Sequence, residues 1–352
     1  MPTIATIKDI ARKAKVGVST VSRVLNSHPD VSTETRDKVL RIAEELKYRP
    51  HSRARQLVRD TTETICFVMS NREVISPFHS HVLTGVEQFA RRLAHNVIFM
   101  RFDYRPDVAA SDLVLPPVIW ERGNVDGLII AGMNYPNFIR AVKRLDIPFV
   151  LFGNNLVGQV RTSDIDTVWF DSKGGTRKST EYLIGLGHRD IWFIADLSLP
   201  WYRRCFEGYL QAMEGRGLQP RSLEPKMDSP PFDYGYASAD EILKLGHRVS
   251  AIVAGDDQIA CGLLSKFNQQ GVRVPNEISI VGFDDIDEAK YFHPPLTTVH
   301  VPKEKIGEEM ARVLFDKLAD PSRPTVKLTV PTDLVIRESC AAPPKRNRSS
   351  VR

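Results

Sequence analysis

Three groups of residues in this 352-residue sequence have types and spacings that bear on chemistry. Carboxylates are paired at Asp256-Asp257 and Asp284-Asp285, two histidines flank a serine at His79-Ser80-His81, and basic side chains crowd the first sixty residues. Paired acids suit a metal or general acid–base work only if both carboxylates converge, whereas neighbours along a chain point in different directions. Helix N-caps combined with ligand contacts explain them better. The His-Ser-His run is half of a metal site, and no third ligand stands at a suitable spacing. The sequence has no P-loop, no G-x-S-x-G elbow and no H-E-x-x-H helix. Gly185-Leu186-Gly187 falls where a helix ends and reads as its cap, not as a dinucleotide loop. The chain is therefore read as a non-enzyme with no cofactor and no metal.

The basic residues tell more when counted by segment. Residues 1–60 carry 13 Lys and Arg against 7 Asp and Glu, a net of +6, while residues 61–341 carry 31 against 36, a net of −5. A basic head on an acidic body places a polyanion-binding surface at the N-terminus. Residues 342–352 add Lys345, Arg346, Arg348 and Arg352 after two prolines, the composition of a disordered basic tail. At 42% hydrophobic and 26% charged residues the composition is that of a soluble globular protein. Its length suits two or three units of roughly 150 residues. Lys8, Asp9, Arg12 and Lys13 leave no room for a secretory apolar core. Later apolar runs are broken by charge or proline, so a cytoplasmic chain without a membrane span is expected. Cys66, Cys205, Cys261 and Cys340 are scattered, with no CxxC pair, and read as separate thiols.

The elements that must position these groups follow from periodicity. Thr6 fits a helix N-cap with Asp9 three positions on, and Ile7, Ile10, Ala11 and Ala14 share one face. Lys15-Val16-Gly17 breaks the pattern. A second helix, Val18 to Leu25, turns Val21, Val24 and Leu25 inward and leaves Val18, Ser19, Thr20, Ser22 and Arg23 on or near its outer face. Ser32 caps a third helix with the stripe Val39, Ile42, Ala43 and Leu46. Three short helices with a three-residue turn between the first two form a helix-turn-helix, whose second helix enters the major groove of DNA. The bland alternative is a small helical bundle solvated by its cations. His51–Val58 is too short to be a stable helix alone. Ala54, Leu57 and Val58 share a face ringed by Arg53, Arg55 and Arg59, which suits an apolar wedge in a minor groove; a flexible basic linker is the alternative.

These segments carry a resemblance. Thr6-Ile-Lys-Asp-Ile-Ala-Arg12, Val18-Ser-Thr-Val-Ser-Arg-Val-Leu-Asn26, Val31-Ser-x-Glu-Thr-Arg36 and Tyr48-Arg-Pro50 resemble the signature of the LacI/GalR family of bacterial repressors. The resemblance implies Val18, Ser19 and Arg23 as base readers, with Thr20, Ser22 and Asn26 as phosphate or positioning contacts and Thr6 beside them. It implies Leu57 as the minor-groove wedge, Ala54 in the pairing of hinge helices over 51–60, and a homodimer on a pseudo-palindromic double-stranded operator. Gly17 stands where the family usually has Ser as N-cap, a weaker cap.

From Thr64 onward apolar runs alternate with helical patterns, the sign of βαβ units and parallel sheets. Strands are expected at 65–70, 97–102, 128–132, 149–152, 191–195, 251–254 and 278–283, and helices at 77–95, 137–145, 174–186, 202–215, 236–245, 257–270 and 303–319. The resemblance continues through Asp171 to Gly187-His188, Asp256-Asp257-Gln258, Pro275 to Asp285 and Pro294 to Val299. It implies an α/β fold class: an all-α, lambda-repressor-like helix-turn-helix head (1–50) and a periplasmic-binding-protein-like body (61–341) of two doubly wound parallel-sheet subdomains, crossed three times by the chain. The subdomains are expected at about 61–165 with 295–325 and about 166–294 with 326–341. Ligands of such sheets bind beyond the carboxyl ends of strands. Asp284, Asp256, Asn154 and the Phe78-His79 pair stand at such ends, and short polar groups beside an aromatic plane suit a hydroxylated or ring-shaped effector, a sugar or sugar derivative first, a nucleobase second. The family's effector-contacting arginine stands three residues before the glycine at Gly208, where this chain has Cys205; Arg204 is expected to take over. The expected function is a transcription regulator, a repressor, tuned by that small molecule. A transport-type binding protein would account for residues 61–341 but not for the basic head.

Overall fold

The computed structural model describes residues 5–25, 29–48, 61–72, 76–224, 229–245 and 249–344. The chain divides into two compact units, Met1–Thr62 and Glu63–Arg352. Among the described residues no helix is long and apolar enough to cross a membrane.

The first unit is built from α1 (Ile7–Ala14), α2 (Val18–Leu25) and α3 (Thr33–Glu45). Thr6 closes the expected capping box: its hydroxyl accepts from the Asp9 N–H, and the Asp9 carboxylate accepts from the Thr6 N–H at 2.9 Å. Lys15 ends α1 in the left-handed region at φ 56°, which turns the chain into α2. The apolar stripes meet in a core of Ile10, Ala11, Ala14, Val21, Val24, Val39, Ile42 and Ala43. That core is small, and the Lys13–Glu45 ion pair across α1 and α3 lies on the surface.

The second unit holds two six-stranded sheets. The first runs β11 (Lys327–Val330), β5 (Asp166–Phe170), β4 (Phe149–Phe152), β3 (Gly127–Gly132), β1 (Thr64–Ser70), β2 (Asn96–Phe102), all parallel. The second runs β12 (Asp333–Val335), β10 (Thr297–His300), β9 (Ser279–Asp284), β8 (Ala251–Ala254), β6 (Ile191–Ile194), β7 (Ser222–Leu223), parallel except for β12. The continuous apolar runs of β1, β3 and β8 are buried, as parallel strands covered on both faces must be.

In chain order the covering helices are α4 (Pro77–Arg92), α5 (Pro136–Lys143), α6 (Ser172–Gly185), α7 (Pro200–Glu214), α8 (Pro231–Lys244), α9 (Asp257–Gln269) and α10 (Lys303–Ala319). Two of them approach at glycine. A Cβ on Gly85 of α4 would lie 2.0 Å from the Glu304 carbonyl oxygen, and one on Gly307 of α10 would lie 1.9 Å from that of Val82.

The sheets correct the expected subdomain limits. Strand β5 belongs to the first sheet, β10 to the second and β11 to the first, so each crossing comes one strand later than about 166, 295 and 326. The cause is pairing: β11 adds to the edge of the first sheet against β5, and β10 pairs with β9 before the chain returns in α10. Helix α8 begins at Pro231 instead of 236, because proline suits the first helical turn.

Candidate functional site

In both sheets the first strand of each set lies one strand in from an edge, with the second strand of the set outside it, and the switch points lie between β1 and β3 and between β6 and β8. Residues just past these strands line one cavity of about 510 Å³: Arg72 after β1, Met133 after β3, Asp196 after β6 and Asp256 after β8, with Asp284 ending β9. Its size is that of a small-molecule site. The expected Phe78, His79, Asp256 and Asp284 all line it.

Asp256 is the N-cap of α9, and one carboxylate oxygen accepts from the Ile259 N–H at 2.7 Å. The other accepts from the Tyr202 hydroxyl. Burial pushes the Asp256 carboxyl up from the usual range, against the lowering effect of that hydrogen bond, and burial beside this acid pushes Tyr202 well up. Asp284 sits at φ 108°, with its carbonyl oxygen held by the Lys303 ammonium. Burial raises its carboxyl well above the usual range despite Lys303. The neighbouring acids point elsewhere. Asp257 is fully buried and accepts from the Thr298 hydroxyl at 2.5 Å and the Ile286 N–H at 2.9 Å; burial pushes it up to about 7. Asp285 pairs with Arg337 at 2.7 Å and His300 at 2.9 Å. Within each pair, then, one acid faces the cavity and the other holds the fold.

His79 is buried between the Ser76 hydroxyl, 2.8 Å from Nδ1, and the Asn155 side-chain amide, 3.0 Å from Nε2. An amide N–H₂ only donates, so Nε2 accepts and Nδ1–H donates to Ser76. Burial, with Arg72 nearby, depresses the pKa well below the ordinary value, so this imidazole is neutral near pH 7. His81, two residues on, pairs with Glu304 and Asp287 and does not join His79. Phe78 supplies the aromatic plane and packs on Phe152 and Phe170 at centroid distances of 5.9 and 5.8 Å.

Two expected residues are displaced. Asn154 is buried and bonds the Phe170 backbone in both directions, at 2.9 and 3.1 Å; its neighbour Asn155 faces the cavity instead. Arg204 donates to the Asn154 carbonyl and lies over the Trp169 ring at 5.3 Å, outside the cavity lining. Helical geometry explains this. A Cβ on Gly208 would lie 2.1 Å from the Lys173 carbonyl oxygen, so close contact with α6 fixes the rotation of α7. Cys205, one turn before Gly208, then faces inward, and Arg204 is rotated about 100° away.

The guanidinium in the cavity is Arg72, which stacks over Trp201 at 4.6 Å. Asp256, Asp284 and Tyr202 surround it electrostatically, while burial lowers its pKa. Sequence reasoning missed Arg72, Trp201, Tyr202 and Asp196. For Arg72 the signal was its place just past the carboxyl end of β1, the same rule that found Asp256.

On the first unit, the outer face of α2 presents Val18, 43% exposed, with Ser19 and Arg23 also exposed; Thr20 and Ser22 are half-buried. The exposed Thr6 side chain is engaged in its capping box. Asn26, Ala54, Leu57, the expected hinge helix over 51–60 and tail residues 345–352 lie outside the described residues.

A family model described as bacterial regulatory proteins, lacI family, matches residues 6–51, and one described as a periplasmic binding protein-like domain matches residues 180–340. The HTH-type transcriptional regulator MalR of Clostridium butyricum is 30% identical over 340 residues, covering 95% of this chain and 98% of the relative. Among solved structures, the lac repressor dimer bound to operator and the anti-inducer ONPF superposes with a TM-score of 0.80 at 26% identity, over 97% of this chain and 100% of that one. A complex of the transcriptional regulator CelR with cellobiose gives 0.67 at 28% identity, over 95% and 99%.

Proposed function

The chain belongs to the LacI family of bacterial transcription regulators, and from that premise we propose that it is a homodimeric repressor whose α2 reads operator DNA under control of a sugar bound in the cavity of the second unit. It is a DNA-binding regulator and not an enzyme. The observation that carries the DNA half is the face of α2: Val21 and Val24 are buried, while Val18, Ser19 and Arg23 are free to meet base edges in a major groove. Thr20, Ser22 and Asn26 are assigned to phosphates, which position the helix without reading sequence. Thr6 fixes the start of α1 beside them.

The working division is a head over 1–50, a hinge over 51–60 with Ala54 and Leu57 at the minor groove, and an effector body over 61–341. Two heads on a two-fold dimer match a pseudo-palindrome, as the lac repressor dimer on its operator suggests. A cytoplasmic location goes with this proposal, since its partner is DNA.

The effector half rests on Asp256 and Asp284, two acids that face a cavity with aromatic walls. Hydroxyl groups of a sugar suit such acceptors. Closing the cavity on that sugar shifts the two subdomains and, through the hinge, the spacing of the heads.

The test is a competition gel shift with duplexes selected from a random pool, run with and without sugars, and repeated with Asp284→Ala. The reading requires a sugar that changes operator affinity in the wild type and fails to do so in the variant. A response to nucleobases alone transfers the site to flat aromatic effectors.

A further inference from the structure

Two arginines of the second unit reach across the cleft between its subdomains in opposite directions. Arg72 leaves the first subdomain just past β1, and its guanidinium lies 4.6 Å over the ring of Trp201, on α7 of the second. Arg204 leaves the second subdomain on the same α7 and lies 5.3 Å over the ring of Trp169, on β5 of the first, while it donates to the Asn154 carbonyl past β4. Each subdomain thus gives one arginine and receives the other on a tryptophan. Trp169 is fixed for this contact. Its Nε1 donates to the Thr167 hydroxyl at 3.0 Å, and a Cβ on Gly153 would lie 2.1 Å from the indole, so the ring rests against bare backbone.

The pairs differ in place. Arg72 and Trp201 line the cavity with Asp256 and Asp284, two acids of the second subdomain whose charge attracts Arg72 across the cleft. Arg204 and Trp169 stand outside the lining. They resemble each other in energetics. A guanidinium stacked on an indole is held more strongly where water is excluded. Against that gain, the Nε of each arginine is buried without a hydrogen-bond partner among the described residues, and an unmade bond of a buried donor costs about as much as one such stack contributes. The two effects nearly offset each other, so each contact holds without locking. Trp201 and Arg204 stand three residues apart on one helix, and a movement of α7 away from the first subdomain breaks both contacts together.

We propose that these reciprocal arginine–tryptophan pairs are the clasp of the cleft: α7 is gripped by Arg72 on Trp201 and grips back through Arg204 on Trp169, and the two contacts together set how often the subdomains part. The inference goes beyond the effector reading, since it concerns the chain's own closure and holds for any guest of the cavity.

The reporter is Cys205, which is buried and lines the cavity; Cys66, buried in the core of the first sheet, reports global unfolding. Burial pushes both thiols up to about 12, so each reacts only when opened to water. The full-length chain is labelled with N-ethylmaleimide without added sugar, and the two cysteine peptides are followed by mass spectrometry. Arg72→Met, Trp201→Leu, Arg204→Met and Trp169→Leu should each speed labelling of Cys205 roughly 3- to 30-fold, the worth of a cation stacked on an indole away from water, and leave Cys66 at its wild-type rate. Lysine at either arginine keeps the charge but loses the planar stack, and should restore only part of the protection. Within a pair, the double variant should label little faster than either single one, whereas Arg72→Met combined with Arg204→Met should multiply the two effects. Trp169→Leu is the sharpest arm, because that ring lies outside the cavity and acts on Cys205 only through opening. Labelling of Cys205 that stays at the wild-type rate in the variants of either pair overturns the clasp. So do effects that multiply within a pair as fully as between pairs, or a rise at Cys66 in step with Cys205, which would show general loosening. None of these outcomes touches the sugar reading, because no sugar takes part.

Discussion

Arg23 is the residue on which sequence selectivity turns most directly. It is exposed on α2, has no ion pair among the described contacts, and carries a planar fork that suits guanine. Arg23→Ala should relax discrimination at one base pair by about 1–3 kcal/mol, read by competition against single-base variants of a selected operator; equal weakening on every duplex would show a phosphate contact instead. Asp257 gives a pH signature. Its folded pKa is raised to about 7, so its contribution to stability is complete below the ordinary carboxylate range and is lost as pH rises through about 7. Denaturant midpoints of the wild type relative to Asp257→Asn should therefore fall between pH 5 and pH 8, whereas a constant difference would place the carboxyl in solvent. Asp256 and Asp284 were legible in sequence because each closes an apolar strand run. Arg204 misled for an equally plain reason: adjacency along a helix is a 100° rotation, and the close contact at Gly208 decides which side chain faces in. Arg72 was overlooked because nothing in the periodicity of a loop shows where its side chain turns.

At the scale of elements, the long apolar strands and amphipathic helices were readable, since each repeats its pattern over several residues. Short edge strands were not. Strand β11 alternates exposure as Lys327, Leu328, Thr329, Val330 and declares itself only through its pairing with β5, so the last subdomain limit slipped by one strand. The helix-turn-helix start at Thr6 was legible because a capping box is a local rule. Thr6→Ala should cost the head about 1 kcal/mol, seen as lower helix content or melting temperature in the isolated signal of the first unit. The α4–α10 contact is the stiffer joint. Gly307→Ala places a methyl 1.9 Å from the Val82 carbonyl oxygen, and both partners are backbone. A loss of about 1–3 kcal/mol in the denaturant unfolding of the second unit is expected; an unchanged midpoint would mean that the helices can separate freely.

For the whole molecule, the basic head and acidic body seen in composition correspond to two compact units with different tasks. An effector that favours one arrangement of the subdomains shifts DNA affinity by its differential binding to the two states, a coupling of roughly 5- to 150-fold. A ligand that binds the cavity and leaves operator affinity unchanged would separate the sensor from the switch. The central claim concerns the face of α2. Duplexes selected from a random pool by the full-length chain are to be titrated against random competitor at fixed salt. Two related half-sites with centres about one helical turn apart, bound at least 10³-fold tighter than competitor, are predicted. A folded protein that holds selected and random duplexes with equal affinity, with and without sugars present, contradicts the account.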